Sequence, residues 1–207
     1  MSAPRAARSR VRMSVAAPPV FLDRDGTLIV ERNYLSDPAE VRLETGVVEG
    51  LRTLKQSGHA LIVLSNQSGI GRGMFKESDA HRVNARVADI LRGYGIDVLA
   101  WYICPHAPEA MCTCRKPLAG MALTAASDWN LELAGSYVIG DKRADLELAE
   151  AIGATGILVT TGHGADSVGW AKDRARPVFD SMQSAAAYIA ERDLQRRSAA
   201  SSPVKSP

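Results

Sequence analysis

Short apolar runs alternate along this chain with stretches of helical periodicity, and that alternation restricts the fold more than any other feature. "VFLD" (20–23), "ALIVLSN" (60–66), "VLAWYIC" (98–104), "SYVIGD" (136–141), "GILVTT" (156–161) and "PVFD" (177–180) read as strands. Between them, "GVVEGLRTLKQSG" puts Val47, Val48, Leu51 and Leu54 on one helical stripe, closed by Gly58. A second helix carries Val83, Val87, Ile90 and Leu91, and further helices fall in "LAGMALTAASDWN", "RADLELAEAIG" and "SMQSAAAYIAERD". Strands separated by helices pair in parallel through right-handed crossovers. The fold class is therefore α/β, a three-layer sandwich around a mostly parallel, Rossmann-like sheet. Such sheets bind ligands beyond the carboxyl ends of their strands. Three polar clusters, "DRDGT", "SNQSG" and "GDKRAD", sit there.

A chain of 207 residues can bury one ordinary core. Its charge is unevenly spread. Residues 1–17 carry four arginines and no acid, and residues 192–207 add a net +3, so the +2 total leaves residues 18–191 at −5. One domain is expected over 18–191, between disordered basic tails at 1–17 and 192–207, with Met13 an alternative start. An acidic body without a basic stripe or stacking aromatics speaks against nucleic acid as a partner. No apolar run reaches the roughly 20 residues of a bilayer span. The expectation is a cytoplasmic monomer with no membrane partner.

Asp23 and Asp25 raise the central chemical question. Residues two apart on an extended chain share a face, and two carboxylates in one place repel unless a cation or proton sits between them. Asp141 and Asp145 would join them from the fourth strand end, and Ser65 and Asn66 from the second. Carboxylates with hydroxyl and amide donors suit Mg²⁺, a hard cation that leaves room for phosphate oxygens. Arg115, Lys116 and Lys142 could then neutralise a phosphoryl group. One aspartate can attack phosphorus while the other moves protons. Gly26 permits the tight exit from the strand, Thr27 could hold Asp25, and Arg24 should point to the opposite face as a surface or salt-bridge residue.

A second constellation is "CPHAPEAMCTCRKP", which gathers all three cysteines with one of four histidines. Cys104, His106, Cys112 and Cys114 can close a tetrahedral Zn²⁺ site with no open position. Three cysteines cannot all pair with one another in one chain. The site reads as structural, stiffening the loop that presents Arg115 and Lys116.

Together "DRDGT", "SNQSG", the lysine of "CRKP" and "GDKRAD" resemble the four motifs of the haloacid-dehalogenase (HAD) superfamily of phosphotransferases, over about 20–164. The resemblance implies Asp23 as nucleophile and Asp25 as general acid/base, with Ser65 and Lys116 on the transferring phosphoryl group. It implies Mg²⁺ held by Asp23, Asp141 and the backbone carbonyl of Asp25. The zinc loop narrows it to the branch of histidinol-phosphate and D-glycero-D-manno-heptose 1,7-bisphosphate phosphatases. "FLDRDGTLI", "SNQSGIGRG", with Arg72, and "SYVIGDKRAD" look closer to the heptose family, whereas the short stretch between His106 and Cys112 is like the histidinol one. The implied activity is removal of the C7 phosphate of a heptose bisphosphate through an aspartyl-phosphate, in nucleotide-activated heptose biosynthesis. The implied pocket is lined by Glu31, Arg32, Asn33, Tyr34, Ser65, Asn66, Gln67, Ser68, Arg72, Arg115, Lys116 and Lys142, without a large cap domain. A small phosphorylated sugar is the expected partner. Phosphatases of histidinol phosphate, other small metabolites or nucleic-acid ends share the chemistry, and a non-catalytic zinc module would share only the loop. Of the other histidines, His59 and His81 read as structural or solvated, and His163 lies on the ligand side.

Overall fold

The computed structural model describes residues 17–201. Readings that fall on 1–16 and 202–207, the alternative start included, lie outside them. Six parallel strands form one sheet: β1 (Val20–Leu22), β2 (Leu61–Asn66), β3 (Ala100–Cys104), β4 (Tyr137–Gly140), β5 (Thr155–Val159) and β6 (Val178–Phe179), in the order β3-β2-β1-β4-β5-β6. The helices are α1 (Val47–Gln56), α2 (Ser68–Gly71), α3 (Glu77–Gly93), α4 (Gly120–Trp129), α5 (Arg143–Ala151), α6 (Val168–Asp173) and α7 (Met182–Ser201). No helix among the described residues is long and apolar enough to cross a membrane.

Alternation along the strands divides the core. Phe21 pairs in register with Ile62 and Val138, and these side chains pack on Met121, Ala122 and Ala125 of α4 and Leu148 and Ala149 of α5. Val20 and Leu22 face the other way, against Leu51 and Leu54 of α1, Val83 and Val87 of α3, and Ala185 and Ile189 of α7. All three β1 side chains are buried, each worth about 1.5–3 kcal/mol. A strand covered on both faces reads as a continuous apolar run, which is why these segments were legible.

From β1 the chain runs outward through β2 and β3, then returns to place β4 on the other side of β1. That reversal opens a crevice past the carboxyl ends of β1 and β4. Asp23 and Asp141 each stand one residue beyond those ends.

The last helix corrects the expected domain end at 191. It continues to Ser201 because its far half is tied to the sheet. Tyr137 of β4 donates its hydroxyl to Asp193 Oδ1 at 2.6 Å, and His59 Nε2 lies 3.1 Å from Asp193 Oδ2. His59 Nδ1 lies 2.7 Å from the Pro18 carbonyl, so this histidine is structural, as expected. Where α7 crosses α1, a Cβ on Gly50 would lie 2.6 Å from the Met182 carbonyl oxygen. Gly50→Val should therefore cost about 1–3 kcal/mol by overpacking. Thermal unfolding would register a drop of several degrees, with turnover per folded molecule unchanged.

Candidate active site

Asp23 is fixed at the crevice floor. Its backbone N–H donates to the Ile139 carbonyl at 2.9 Å, which locks the end of β1 to β4. Its Oδ1 accepts from the Arg24 backbone N–H at 2.7 Å and pairs with Lys116 Nζ at 2.8 Å. The same ammonium lies 2.6 Å from Asp145 Oδ1 and donates to the Leu64 carbonyl at 2.7 Å. Lys116 reaches this point because its backbone is clasped by Asn66: Oδ1 accepts from Lys116 N–H at 3.0 Å, and Nδ2 donates to its carbonyl at 3.1 Å. The ends of β1, β2 and the start of α5 thus converge on one lysine.

Asp141 completes the acidic cluster. One oxygen each from Asp23, Asp141 and Asp145 lies within 4.8 Å of the others, and all three residues are buried. Asp141 Oδ2 accepts from the His163 backbone N–H at 2.9 Å, whereas its buried Oδ1 has no hydrogen-bond partner. Two glycines make the close approach possible. A Cβ on Gly26, at φ +82°, would overlap the Asp141 carboxylate, and one on Gly140 would overlap Asp145.

The electrostatics leave an opening for a cation. Burial would raise the Asp23 carboxyl, but the charges of Lys116 and Lys142 outweigh it and hold it below its ordinary value. Burial disfavours the Lys116 ammonium, yet Asp145 and Asp23 raise it. Asp145 is pushed up to about 6 by burial, against the pull of Lys116. Asp141 is pushed up to about 8, first by burial and then by the Asp23 charge. A buried carboxylate with an orphaned oxygen, disfavoured in its ionised form, is what a hard divalent ion would relieve. The donor set therefore fits Mg²⁺.

Asp25 does not join this cluster. Its Oδ2 accepts from Gln67 Nε2 at 2.8 Å, Arg24 Nε at 3.0 Å and the Ser65 hydroxyl at 3.4 Å, and its Oδ1 accepts from Arg24 at 3.0 Å. Arg24 corrects the alternation argument. Of the two alternatives expected for it, the salt bridge is what forms: Arg24 is fully buried, not on the surface, and its guanidinium turns back onto Asp25. The strand ends at Leu22. Beyond it the Arg24 carbonyl accepts from the N–H groups of Leu28 and Ile29, a tight turn in which period-two reasoning no longer applies. Thr27 does not hold Asp25, since its buried hydroxyl has no partner.

A cavity of about 320 Å³ opens above this floor. Glu31, Asn33, Tyr34, Asn66, Gln67, Ser68, Arg115, Lys116 and Lys142 line it, as does His163. Lys142 Nζ pairs with Glu31 Oε2 at 3.0 Å, spanning the mouth. Ser65 lies beneath, buried against Asp25 and Gln67. Two expected residues stand off. Arg32 is exposed and outside the lining. Arg72 sits behind Tyr34, donating to its hydroxyl at 2.8 Å, with Glu109 of the cysteine loop 3.9 Å away. Sequence spacing cannot foretell such loop side-chain directions.

The loop after β3 brings its four candidate ligands together. Cys104 Sγ lies 3.8 Å from Cys112 Sγ and 3.2 Å from Cys114 Sγ, and His106 Nδ1 is 3.2 Å from Cys114 and 3.6 Å from Cys104. Tetrahedral bonds of about 2.0–2.3 Å give edges of about 3.5–3.8 Å, which the 3.8 and 3.6 Å separations match and the two of 3.2 Å undershoot, so the four side chains are gathered closely enough to hold Zn²⁺. All three cysteines are free thiols. Burial, then Cys114, pushes the Cys104 thiol up to about 12. A coordinating ion would favour its thiolate.

The HAD-hydrolase-like family model matches residues 113–185. The D-glycero-beta-D-manno-heptose-1,7-bisphosphate 7-phosphatase of Yersinia pestis is 39% identical over 158 residues, which span 72% of this chain and 84% of that protein. The protein of the same name from Haemophilus ducreyi is 37% identical over 178 residues, spanning 82% and 97%. The solved D,D-heptose 1,7-bisphosphate phosphatase from B. bronchiseptica, complexed with magnesium and phosphate, has a TM-score of 0.77 and 29% identity. The match covers 86% of this chain and 99% of that one.

Proposed function

This chain belongs to the D-glycero-beta-D-manno-heptose-1,7-bisphosphate 7-phosphatase family of HAD-like hydrolases, and from that premise we propose that it removes the C7 phosphate of a heptose 1,7-bisphosphate. The observation that carries the reading is the bridge of Lys116 Nζ between Asp23 Oδ1 and Asp145 Oδ1 beside the orphaned Asp141 oxygen. It supports reading Asp23 as the nucleophile, Lys116 as a fixed cation and Asp141 as part of a cation seat at one rim of the sheet.

Asp23 attacks phosphorus, the bond to the sugar C7 oxygen breaks, and Asp25 gives its proton to that departing oxygen. The products of this half are the free hydroxyl and an aspartyl-phosphate on Asp23. Asp25, now a carboxylate, takes a proton from water as the water oxygen attacks phosphorus. The Asp23–phosphorus bond breaks, and inorganic phosphate leaves with both aspartates restored. Lys116 and the Ser65 hydroxyl offset charge on the phosphoryl oxygens. Asp23, Asp141 and the Asp25 carbonyl would hold Mg²⁺, which would neutralise charge on the phosphoryl group. Support for that ion is the acidic cluster together with the magnesium in the B. bronchiseptica protein. Arg115 and Lys142, both in the cavity lining, suit the sugar and its second phosphate.

The test is phosphate release, with Mg²⁺ and with EDTA, from the α- and β-heptose 1,7-bisphosphates, histidinol phosphate and a 5′-phosphorylated DNA end. The heptose bisphosphates should turn over at least tenfold more efficiently in kcat/KM than the others, and EDTA should abolish the reaction. A preference for histidinol phosphate would transfer the chain to the alternative reading favoured by its short cysteine loop.

A further inference from the structure

Arg24 and Asn84 are buried polar groups for which the reaction above has no assigned use. Arg24 leads the fully buried side chains by size, and burying a guanidinium costs several kcal/mol unless it is paired and hydrogen-bonded. Its fork grips both oxygens of Asp25, through Nε to Oδ2 and Nη2 to Oδ1, each at 3.0 Å. From behind, Nη1 donates to Asn84 Oδ1 at 2.8 Å. Asn84 sits on the buried side of α3 with Val83 and Val87, and its Nδ2 has no partner. An apolar residue would suit that position better, apart from the contact with Arg24.

We propose that Arg24, braced by Asn84, is a positioning residue that aims the Asp25 carboxylate at the leaving-group oxygen. The proposal rests on the reading of Asp25 as the proton carrier. Three donors crowd Oδ2, namely Gln67, Arg24 and Ser65, whereas Oδ1 accepts from Arg24 alone. Oδ1 is therefore the less crowded oxygen, with room for one more partner. The planar fork fixes the carboxylate plane, which a lysine's single ammonium cannot do.

Arg24→Lys and Asn84→Leu separate this role from general support. Both are compared with wild type on the heptose bisphosphate, whose alkoxide leaving group needs a proton, and on p-nitrophenyl phosphate, whose phenolate does not. Arg24→Lys should lower kcat on the sugar about 100-fold, with KM within threefold. Asn84→Leu, which removes the unpartnered Nδ2 together with the Oδ1 that Arg24 Nη1 uses, should lower it several-fold in protein shown to be folded by circular dichroism. The rate of the p-nitrophenolate burst should stay within threefold of wild type in both. Equal losses on the two substrates, or no loss in a folded Asn84→Leu variant, would overturn the positioning role while leaving the phosphatase reading intact. A wild type that turns over neither substrate would remove both together.

Discussion

Asp23→Asn should abolish turnover, with a loss on the order of 10⁴-fold or more. The substitution is nearly isosteric, and the side-chain carbonyl can still accept from the Arg24 N–H that now holds Oδ1 at 2.7 Å. What disappears is the nucleophile. An amide does not displace an alkoxide from phosphorus, and the remaining Lys116, held by Asp145, can only bind the phosphoryl group. Removing the Asp23 charge also relieves the repulsion that, after burial, raises Asp141. Substrate binding should therefore survive while chemistry stops. Phosphate release gives the first measurement, and trapping of ³²P on acid-quenched protein gives the second. Wild type should carry label, and the variant none. Circular dichroism confirms that the comparison is between folded proteins. Residual turnover above about a thousandth of wild type would mean direct attack by water and would remove the covalent mechanism.

The sequence foretold the parts of this site that depend on the sheet, and failed where the chain leaves it. Asp23 and Asp141 were legible together because both follow apolar runs, and parallel strands bring their carboxyl ends to one edge. The Asn66 clasp that steers Lys116 joins positions fifty residues apart, so only the motif resemblance could pair them. Arg24 was misplaced because strand alternation was carried two residues past Leu22, where the turn had begun. Asn84 left one readable signal: Ala80, Asn84, Val87 and Leu91 share the buried stripe of α3, and a lone amide on such a stripe asks for a buried partner. The last helix was read as far as Asp193, yet the domain was closed at 191, before the acid that ties this helix to the sheet. Asp193 continues the stripe of Ala185, Ala186 and Ile189 and is held by Tyr137.

Cys112→Ser should empty the cysteine cluster of zinc and lower turnover about 10–100-fold. The reason is that residues 105–119 form no strand or helix, and the Asn66 clasp orders this segment only at Lys116. Fixing such a backbone costs about 1–2 kcal/mol per residue, and the loop's bulky apolar side chains do little to offset it. Met111 is fully exposed and Leu118 about half exposed. Local support comes from α2, where a Cβ on Gly71 would lie 2.6 Å from the Ala107 amide nitrogen. A structural zinc site in a small peptide supplies about 10–16 kcal/mol of apparent binding energy at pH 7, enough to hold this segment. Cys114 is two residues from Lys116, so losing the ion should loosen the ammonium that bridges Asp23 and Asp145. Elemental analysis should find one zinc per wild-type chain and much less in the variant. Thiol titration should find the cysteines protected in native wild type and all three reactive after chelation. With Lys116 proposed to act on the phosphoryl group through its position, the kinetic loss should fall mainly on kcat. Full activity in a protein shown to be free of zinc would separate the loop from the catalytic lysine and refute its supporting role.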